Sequence, residues 1–192
     1  MGTGTPGKCI IVSAPSGAGK STIVRYLLGC GLGLDFSISA TNRPKRDHEQ
    51  DGRDYFFITT AEFRQRIGAG AFVEWEEVYP GRYYGTLRAE IERIWANGRA
   101  PIFDVDVVGG LRLKEIFGEQ ALSIFVSPPT IEALEERLLL RGTETAETLR
   151  TRMDKAGQEL AYSTRYDRIL LNDDMQRACE EAHEVVNAFL SA

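Results

Sequence analysis

Short apolar runs alternate along the chain with longer amphipathic stretches. Continuous apolar runs of this length are typical of strands that are buried on both faces of a parallel sheet. Four such runs predict core strands at 9–13, 101–105, 121–126 and 168–172. Helical periodicity predicts helices at 21–28, 87–96, 131–141, 146–162 and 175–190. This alternation predicts an α/β fold, a parallel core sheet flanked by helices.

Two segments interrupt the alternation. The first, at about 37–96, is rich in turns and strands and is predicted to be an inserted lobe. Its strand patterns lie at 36–40, 55–58 and 72–78. A helix in this lobe is predicted to start near Thr60, which we expect to be its N-cap. The second segment, at about 128–160, is helical and rich in arginine and glutamate, which predicts a mobile lid. The core of a single domain over 1–192 is then formed by about 1–36, 97–127 and 161–192.

Composition and charge argue against several functional classes. A hydrophobic fraction of 43% in 192 residues is enough for one domain with its own core. No apolar run approaches the roughly 18 residues that cross a bilayer, and no signal-peptide pattern opens the chain, so we expect no membrane association. A net charge of −5 argues against nucleic-acid binding. Three scattered cysteines predict neither disulfides nor a zinc site, which fits a cytoplasmic protein.

A glycine-rich loop follows the first apolar run and precedes a helix. The stretch reads APSGAGKST, from Ala14 to Thr22. In this context the backbone N–H groups cradle phosphate oxygens, Lys20 reaches the β- and γ-phosphates, and the Ser21 hydroxyl binds Mg²⁺. Ala14 departs from the usual glycine only where the strand ends, and the wrap around the anion depends on Gly17 and Gly19. A glycine-rich turn with a surface lysine is the alternative. The loop itself indicates only that a nucleoside triphosphate binds.

A second anion site is indicated by arginines in the inserted lobe. Of 23 basic residues only five are lysines, and two of the arginines, Arg43 and Arg46, flank Pro44. Tyr55 and Tyr84 lie farther along the chain. Two guanidinium forks and two phenol hydroxyls suit a dianionic phosphate ester. The alternative is a solvated surface on which these arginines pair with the neighbouring acids Asp47, Glu49, Asp51 and Asp54.

Acidic residues occupy two further places where chemistry is expected. Asp104 and Asp106 lie at the C-terminal end of a core strand, at the sheet edge where open α/β sheets bind ligands. Glu74 and Glu76 lie on one face of a predicted strand, so alternation does not distinguish them. In the lid, Arg137 and Arg141 share a helix face, and Arg150 and Arg152 begin or flank the next helix. The alternative for the lid is a solvated helix whose arginines pair with Glu132, Glu135, Glu136 and Glu147.

Several segments, in this order and spacing, resemble the guanylate kinases over nearly the whole chain. They are SISATNRPKR (37–46), DGRDYFF (51–57), FVEWEEVYPGRYYGT (72–86) and LLLRGTETAETLRTR (138–152), together with the phosphate loop, FDVD and LLND. The resemblance implies a P-loop nucleoside monophosphate kinase fold with a GMP-binding lobe and a helical lid. It implies the reaction MgATP + GMP → ADP + GDP, with dGMP as a further substrate, in purine metabolism and GMP recycling.

The resemblance also implies roles for residues. The GMP-binding residues would be Ser39, Arg43, Arg46, Tyr55, Glu74, Tyr84, Gly85, Thr86 and Asp106. The ATP-binding residues would be Ala14, Pro15, Ser16, Gly17, Ala18, Gly19, Lys20, Ser21, Thr22 and Asn172, the last near the adenine. Catalytic roles would fall to Lys20, Arg137, Arg141, Arg152 and Asp104. Mg²⁺ would arrive with ATP and be held by Ser21 and by Asp104, directly or through water. The partners would be the nucleotides ATP and GMP, and a homo-oligomer is left open.

The chain departs from the family pattern at two places. Val108 stands where guanylate kinases commonly have a glutamine, which puts a polar contact beneath the site in doubt. The turn at 79–82 is one residue longer than in some members. Two other functions stay open: a non-catalytic guanylate-kinase-like module that binds proteins, and a kinase of this fold with another phosphorylated acceptor, such as a ribose bisphosphate. The complete Gly19-Lys20-Ser21 speaks against the first, and Ser39, Glu74 and Thr86 speak against the second.

Overall fold

A computed structural model describes residues 7–140 and 146–192. Its strands are β1 (Cys9–Ser13), β2 (Leu34–Phe36), β3 (Ala40–Thr41), β4 (Phe56–Phe57), β5 (Phe72–Tyr79), β6 (Arg82–Leu87), β7 (Ala100–Val105), β8 (Ala121–Ser127) and β9 (Arg168–Leu171). Its α-helices are α1 (Lys20–Gly29), α2 (Thr60–Gly68), α3 (Arg88–Ala96), α4 (Val107–Phe117), α5 (Ile131–Leu140), α6 (Ala146–Leu160) and α7 (Met175–Ser191). The α/β fold that the hydrophobic pattern predicts is confirmed.

Within the described ranges, the central sheet has the strand order β2-β7-β1-β8-β9 and all its pairings are parallel. β1 is buried along its whole length, because both faces of the sheet are covered. Ile10 and Val12 pack towards α1, α5 and α7, whereas Cys9 and Ile11 pack towards α3 and α4. This two-sided burial explains why the strand is continuously apolar. The carboxyl ends of β1, β7, β8 and β9 meet at one edge, where ligands of such sheets bind.

The inserted lobe contains a second sheet with the order β4-β3-β6-β5. Its core is small and aromatic, and the rings of Phe63 and Phe72 stack at 4.5 Å between centroids. β5 and β6 form an antiparallel hairpin whose tip projects over the carboxyl edge of the central sheet. α3, which we assigned to the lobe, packs Ile91 against Cys9 and Phe103 of the central sheet. The domain boundaries otherwise stay predictions.

Helix α4 lies in a region for which the sequence pattern predicted no helix. Two adjacent glycines, Gly109 and Gly110, lower helix propensity there, and this masked the signal. The fold requires Gly110, since a Cβ atom would lie 2.3 Å from Ser13 Oγ and 2.6 Å from the Tyr166 hydroxyl. Asp106 caps the helix by accepting a hydrogen bond from the Gly109 N–H at 3.1 Å. Tertiary packing therefore outweighs local propensity at this helix.

Three local predictions differ from the structure. The N-cap of α2 is Thr59 rather than Thr60, because Thr59 forms a capping box with Glu62. The strand expected at 36–40 is split between β2 and β3, which belong to different sheets. The strand expected at 55–58 is only two residues long in β4. None of the helices in the described ranges is long and apolar enough to cross a membrane.

Candidate active site

A cleft opens at the carboxyl edge of the central sheet, between the phosphate loop, the inserted lobe and α6. Of the predicted site residues, those lining it are Ala14, Pro15, Ser16, Gly17, Gly19, Lys20, Ser21, Ser39, Arg46, Tyr55, Glu74, Tyr84, Gly85, Asp104, Asp106 and Arg152. Those described but not lining it are Ala18, Thr22, Arg43, Thr86, Arg137 and Asn172. Arg141 lies outside the described residues. The structure thus brings the donor loop and the lobe face to face.

The phosphate loop has the backbone that its glycines predict. Gly17 and Gly19 have φ angles of 100° and 96°, in the left-handed region that favours glycine. At Gly19 space is also lacking, because a Cβ atom would lie 2.3 Å from the amide nitrogen of Asn172. α1 begins at Lys20, so the first N–H groups of the helix face the cleft. Ala14, at the strand exit, is buried without a positive φ angle, so alanine is compatible with the loop.

Lys20, Ser21 and Asp104 form the floor of the donor side. The Lys20 ammonium contacts one carboxylate oxygen of Asp104, and the Ser21 hydroxyl donates to the other at 2.7 Å. Burial lowers the pKa of Lys20 to about 8, while the carboxylates of Asp106 and Glu159 act in the opposite direction. Lys20 therefore stays mainly cationic at neutral pH. A cation, a hydroxyl and a carboxylate therefore lie together beside the phosphate loop, where the β- and γ-phosphates of a triphosphate are expected.

Arg46, Tyr55 and Tyr84 lie together on the lobe side of the cleft. The two tyrosine rings meet edge to face at 6.0 Å between centroids, and the Arg46 side chain is 58% exposed and accessible to an anion. Arg46 lies in the loop between β3 and β4, Tyr55 directly precedes β4, and Tyr84 lies in β6. The fold of the lobe therefore brings these side chains together. Two phenol hydroxyls and a guanidinium suit a phosphate monoester dianion.

Arg43 differs from the expectation for a phosphate ligand. Its guanidinium is 8% exposed and donates to both Glu49 carboxylate oxygens, at 2.7 and 2.5 Å. It also lies over the Tyr55 ring, at 4.9 Å from the centroid. The hydrogen bonds from Arg43, together with that from the Arg46 N–H, lower the pKa of Glu49 to about 2. The alternative of arginine–acid pairing is therefore realised at Arg43, but in a buried pair rather than on a solvated surface.

Glu74 and Glu76 are separated by their surroundings. Glu74 lines the cleft and accepts a hydrogen bond from the Thr86 hydroxyl at 2.6 Å, across the β5–β6 pairing. Burial raises its pKa to about 7, and the charges of Asp106 and Glu76 add to this effect. Glu76 instead pairs with Arg112 at 2.8 Å. The structure thus offers Glu74 as the buried carboxylate that faces the cleft.

Gly85 and Asp106 complete this end of the cleft. At Gly85 a Cβ atom would lie 2.8 Å from the Phe72 ring and 3.0 Å from the Glu74 carbonyl oxygen. Asp106 lines the cleft while one of its carboxylate oxygens caps α4. Ser39 is buried and also lines the cleft. This end of the cleft therefore presents two carboxyl groups, hydrogen-bond acceptors that suit a planar base with N–H donors.

Arg152 and Arg137, both predicted lid residues, make different contacts. Arg152 of α6 donates to the Ser16 hydroxyl of the phosphate loop at 2.7 Å. Arg137 of α5 lies behind the loop and donates to the Asn172 carbonyl oxygen at 2.9 Å. The Asn172 amide donates to the Ala18 carbonyl oxygen at 2.7 Å, and the residue is 1% exposed. Asn172 thus braces the phosphate loop from below, and its proximity to adenine stays a prediction.

Val108 is the second residue of α4. Its side chain is 38% exposed and does not line the cleft. The effect of this departure from the family pattern on the site stays a prediction. The polar contacts beneath the cleft are made by Ser13, whose hydroxyl donates to the Asp106 carbonyl oxygen, and by Tyr166, whose hydroxyl donates to that of Val107.

Sequence reasoning missed five lining residues. They are Val78, Tyr79, Val105, Lys155 and Glu159. Lys155 and Glu159 follow Arg152 by three and seven positions, so the three side chains share one face of α6. That spacing from a predicted lid arginine was the available signal. Val78 and Tyr79 carried no comparable signal, since their position depends on how the β5–β6 hairpin ends.

Comparisons with known proteins identify the family of this chain. The family model for guanylate kinase matches residues 6–189. A guanylate kinase from Bacteroides fragilis is 51% identical over 183 residues, covering 95% of this chain and 90% of that protein. One from Porphyromonas gingivalis is 49% identical, covering 96% of this chain and 98% of that protein. The crystal structure of guanylate kinase from Anaplasma phagocytophilum matches with a TM-score of 0.79 at 26% identity, covering 97% of this chain and 87% of that chain. The chain therefore belongs to the guanylate kinase family.

Proposed function

We propose that the protein is an ATP:GMP phosphotransferase that converts MgATP and GMP, with dGMP as a second acceptor, into ADP and the nucleoside diphosphate. The observation that carries the proposal is the cleft in which Lys20 and Ser21 face Glu74 across the central sheet edge. A complete phosphate loop opposite a buried carboxylate fits a kinase that selects a guanine acceptor. A protein-binding module would not need the donor side of this cleft.

The donor is proposed to bind along the phosphate loop. Residues 14–22 would surround the β- and γ-phosphates with N–H groups, and Lys20 would neutralise the charge that develops between them. Asn172 would keep the loop in shape by holding the Ala18 carbonyl oxygen. The contact between Arg152 and Ser16 in this loop supports a role for the Arg152 guanidinium in stabilising the transferred group. Arg137 and Arg141 are assigned the same role by the family resemblance.

The residues at the donor floor fit a magnesium ion. Ser21 and Asp104 supply a hydroxyl and a carboxylate, the hard oxygen donors that Mg²⁺ prefers. Within 7–140 and 146–192, no cluster of three or more His, Cys, Asp or Glu side chains could hold a metal. This is the pattern for a magnesium ion that is held mostly by nucleotide phosphates and water. When bound, Mg²⁺ would neutralise phosphate charge.

The acceptor is proposed to bind in the lobe. Arg46, Tyr55 and Tyr84 would hold the phosphate of GMP, and Arg43 would act through the Tyr55 ring and the turn that carries Arg46. Glu74 would accept the N1–H and N2–H₂ donors of guanine, with Ser39, Thr86 and Asp106 around it. Adenine lacks this pair of donors and would leave the buried Glu74 carboxylate without partners.

No side chain is required as a general base. The attacking phosphate oxygen is already anionic near neutrality, because the second pKa of a phosphate ester is about 6. Catalysis then consists of alignment and charge stabilisation, and closure over the cleft excludes water from the donor. We also propose a cytoplasmic location, because all three cysteines are free thiols and two are buried, as expected of a protein in a reducing compartment.

An ADP-release assay with MgATP tests the function. The acceptors are GMP, dGMP, AMP, CMP, UMP and none. We expect turnover with GMP and dGMP at least about a hundredfold above that with AMP, since unpaired buried acceptors cost several kcal/mol. Turnover that ignores GMP would overturn the reaction, and equal turnover of AMP would overturn the role of Glu74 alone.

A further inference from the structure

Helix α6 contacts both halves of the cleft with residues one turn apart. Arg152 reaches the phosphate loop at Ser16. Lys155, on the same helix face, reaches the tip of the inserted lobe, where its ammonium lies 3.4 Å from the Val78 carbonyl oxygen and 4.8 Å from the centre of the Tyr79 ring. Lys155 therefore makes a hydrogen bond from α6 to the lobe.

We propose that Lys155 is a positioning residue that latches the lid to the acceptor lobe, with Val78 and Tyr79 as its seat. Resting on the kinase function proposed above, this inference adds a residue that couples the two binding sites. Lys155 is attracted by the π face of the Tyr79 ring and donates to a carbonyl oxygen beside it. Its side chain is only 25% exposed, so solvent screens these contacts incompletely. Glu159, at 3.5 Å and one turn farther along α6, holds the ammonium in place.

The seat is created by an irregularity in the β5–β6 hairpin. Glu77 pairs with Tyr83, but Tyr79 pairs with Arg82, so β5 has one extra residue and the pairing skips Val78. A bulge of this kind leaves a residue unpaired and redirects its neighbours. The Val78 carbonyl is therefore released from the ladder and available to Lys155.

The latch acts on the acceptor site through β5. Glu74 lies on the same strand as the seat, so whatever holds the tip of β5 against α6 also holds Glu74 over the cleft. Arg152 lies three residues before Lys155, so the same helix is fixed against the phosphate loop. Loss of the latch should therefore loosen the acceptor more than the donor, and it should admit water to bound ATP.

A double-mutant cycle tests the latch. Lys155→Met keeps the aliphatic length and removes the charge, Tyr79→Leu removes the ring, and the third variant carries both. We expect each single change to lower kcat/KM for GMP about tenfold while KM for ATP changes less than twofold. The double variant should be no more than about twofold worse than the worse single variant. Hydrolysis of ATP without an acceptor, relative to transfer to GMP, should rise in all three.

Two further variants make the result decisive. Arg150→Met removes a positive charge from an exposed position on the same helix and should behave as the wild type. Lys155→Arg keeps a cation over the ring and should recover most of kcat/KM. Additive losses in the cycle would mean that Lys155 contacts substrate directly and would overturn the latch. A lower thermal midpoint with unchanged KM for GMP would leave only a structural role and would overturn it too. Wild-type turnover of GMP tests the kinase function separately.

Discussion

Glu74 offers a prediction in which recognition and stability move in opposite directions. Glu74→Gln keeps the size of the side chain and an oxygen that accepts the Thr86 hydroxyl hydrogen bond. It removes the negative charge and replaces one acceptor oxygen with an N–H₂ donor, which would face a donor of guanine. Because hydrogen bonds to charged groups contribute about 1.5–3 kcal/mol each, we expect kcat/KM for GMP to fall about a hundredfold.

The same substitution should stabilise the protein without ligand at alkaline pH. Burial holds the pKa of Glu74 at about 7, above its ordinary value of 4.5. Below the ordinary pKa both the folded and the unfolded chain are protonated, so the group has no effect on stability there. As the pH rises towards 7, the unfolded chain loses its proton first, and folding is penalised by up to about 3 kcal/mol. Glutamine removes this penalty, so the gain should be present at pH 8 and absent at pH 4.5.

Thermal unfolding and steady-state kinetics measure the two effects. For a chain of this size, about 3 kcal/mol corresponds to a rise in Tm of about 6–12 °C at pH 8. In the wild type, kcat/KM for GMP should rise with pH through about 7 as Glu74 ionises, and this component should be missing in the variant. The GMP phosphate titrates near pH 6 and contributes equally to both proteins. Glu76→Gln is the matched control, because Glu76 pairs with Arg112 outside the cleft.

Two outcomes would refute this reasoning. If Glu74→Gln retained wild-type kcat/KM for GMP, the carboxylate would not be the guanine acceptor. If the gain in stability were the same at pH 4.5 and pH 8, ionisation of the buried Glu74 carboxyl group would not be what destabilises the wild-type fold. An equal loss of GMP turnover in Glu76→Gln would show that a general change in the charge of the lobe, rather than recognition, explains the first result.

Three further predictions concern the donor loop and the lobe. Lys20→Met should lower kcat at least about a thousandfold with an unchanged circular dichroism spectrum, and near-normal transfer would show the donor site to be misplaced. Gly19→Ala should weaken ATP binding and lower the free energy of unfolding by about 2 kcal/mol or more, measured in urea, because Cβ would strike the Asn172 amide at a φ of 96°. Glu49→Gln should destabilise the lobe by about 2 kcal/mol above pH 5, because it weakens the buried pair with Arg43. This loss of stability should shrink as the pH falls towards about 2, the pKa of Glu49 in the folded protein. A loss of stability that does not depend on pH would contradict this prediction.

Some parts of the fold could be predicted from the sequence because their pattern depends only on residues that are neighbours in the chain. β1 is fully apolar because helices cover both faces of its sheet, and the loop after it needs left-handed glycines at Gly17 and Gly19. Both features are visible in a few consecutive residues. α4 was not predictable in this way, since Gly110 weakens the helix locally and is required by contacts with Ser13 and Tyr166, 97 and 56 residues away in the chain.

The same distinction separates what could and could not be predicted at the site. Composition and motif order point to Arg43 as a phosphate ligand, yet Glu49 takes up its guanidinium in a buried pair, and only the three-dimensional turn reveals this. Alternation places Glu74 and Glu76 on one face, and their separation depends on Arg112 arriving from α4. At Glu76 the partner that decides is distant in sequence, whereas Arg43 pairs with an acid only six residues away, one of several that the sequence offered.

The proposed latch depends on the irregular pairing of β5 and β6. A regular β5–β6 hairpin would pair the Val78 carbonyl within the sheet and leave α6 without its partner there. The bulge instead gives Lys155 a carbonyl oxygen and an aromatic ring, within one helical turn of the Arg152 contact to the phosphate loop. If the proposed latch holds, a displacement of the acceptor lobe moves α6 and, through Arg152, the donor loop. Under this proposal, one helix face links binding of the acceptor to alignment of the donor.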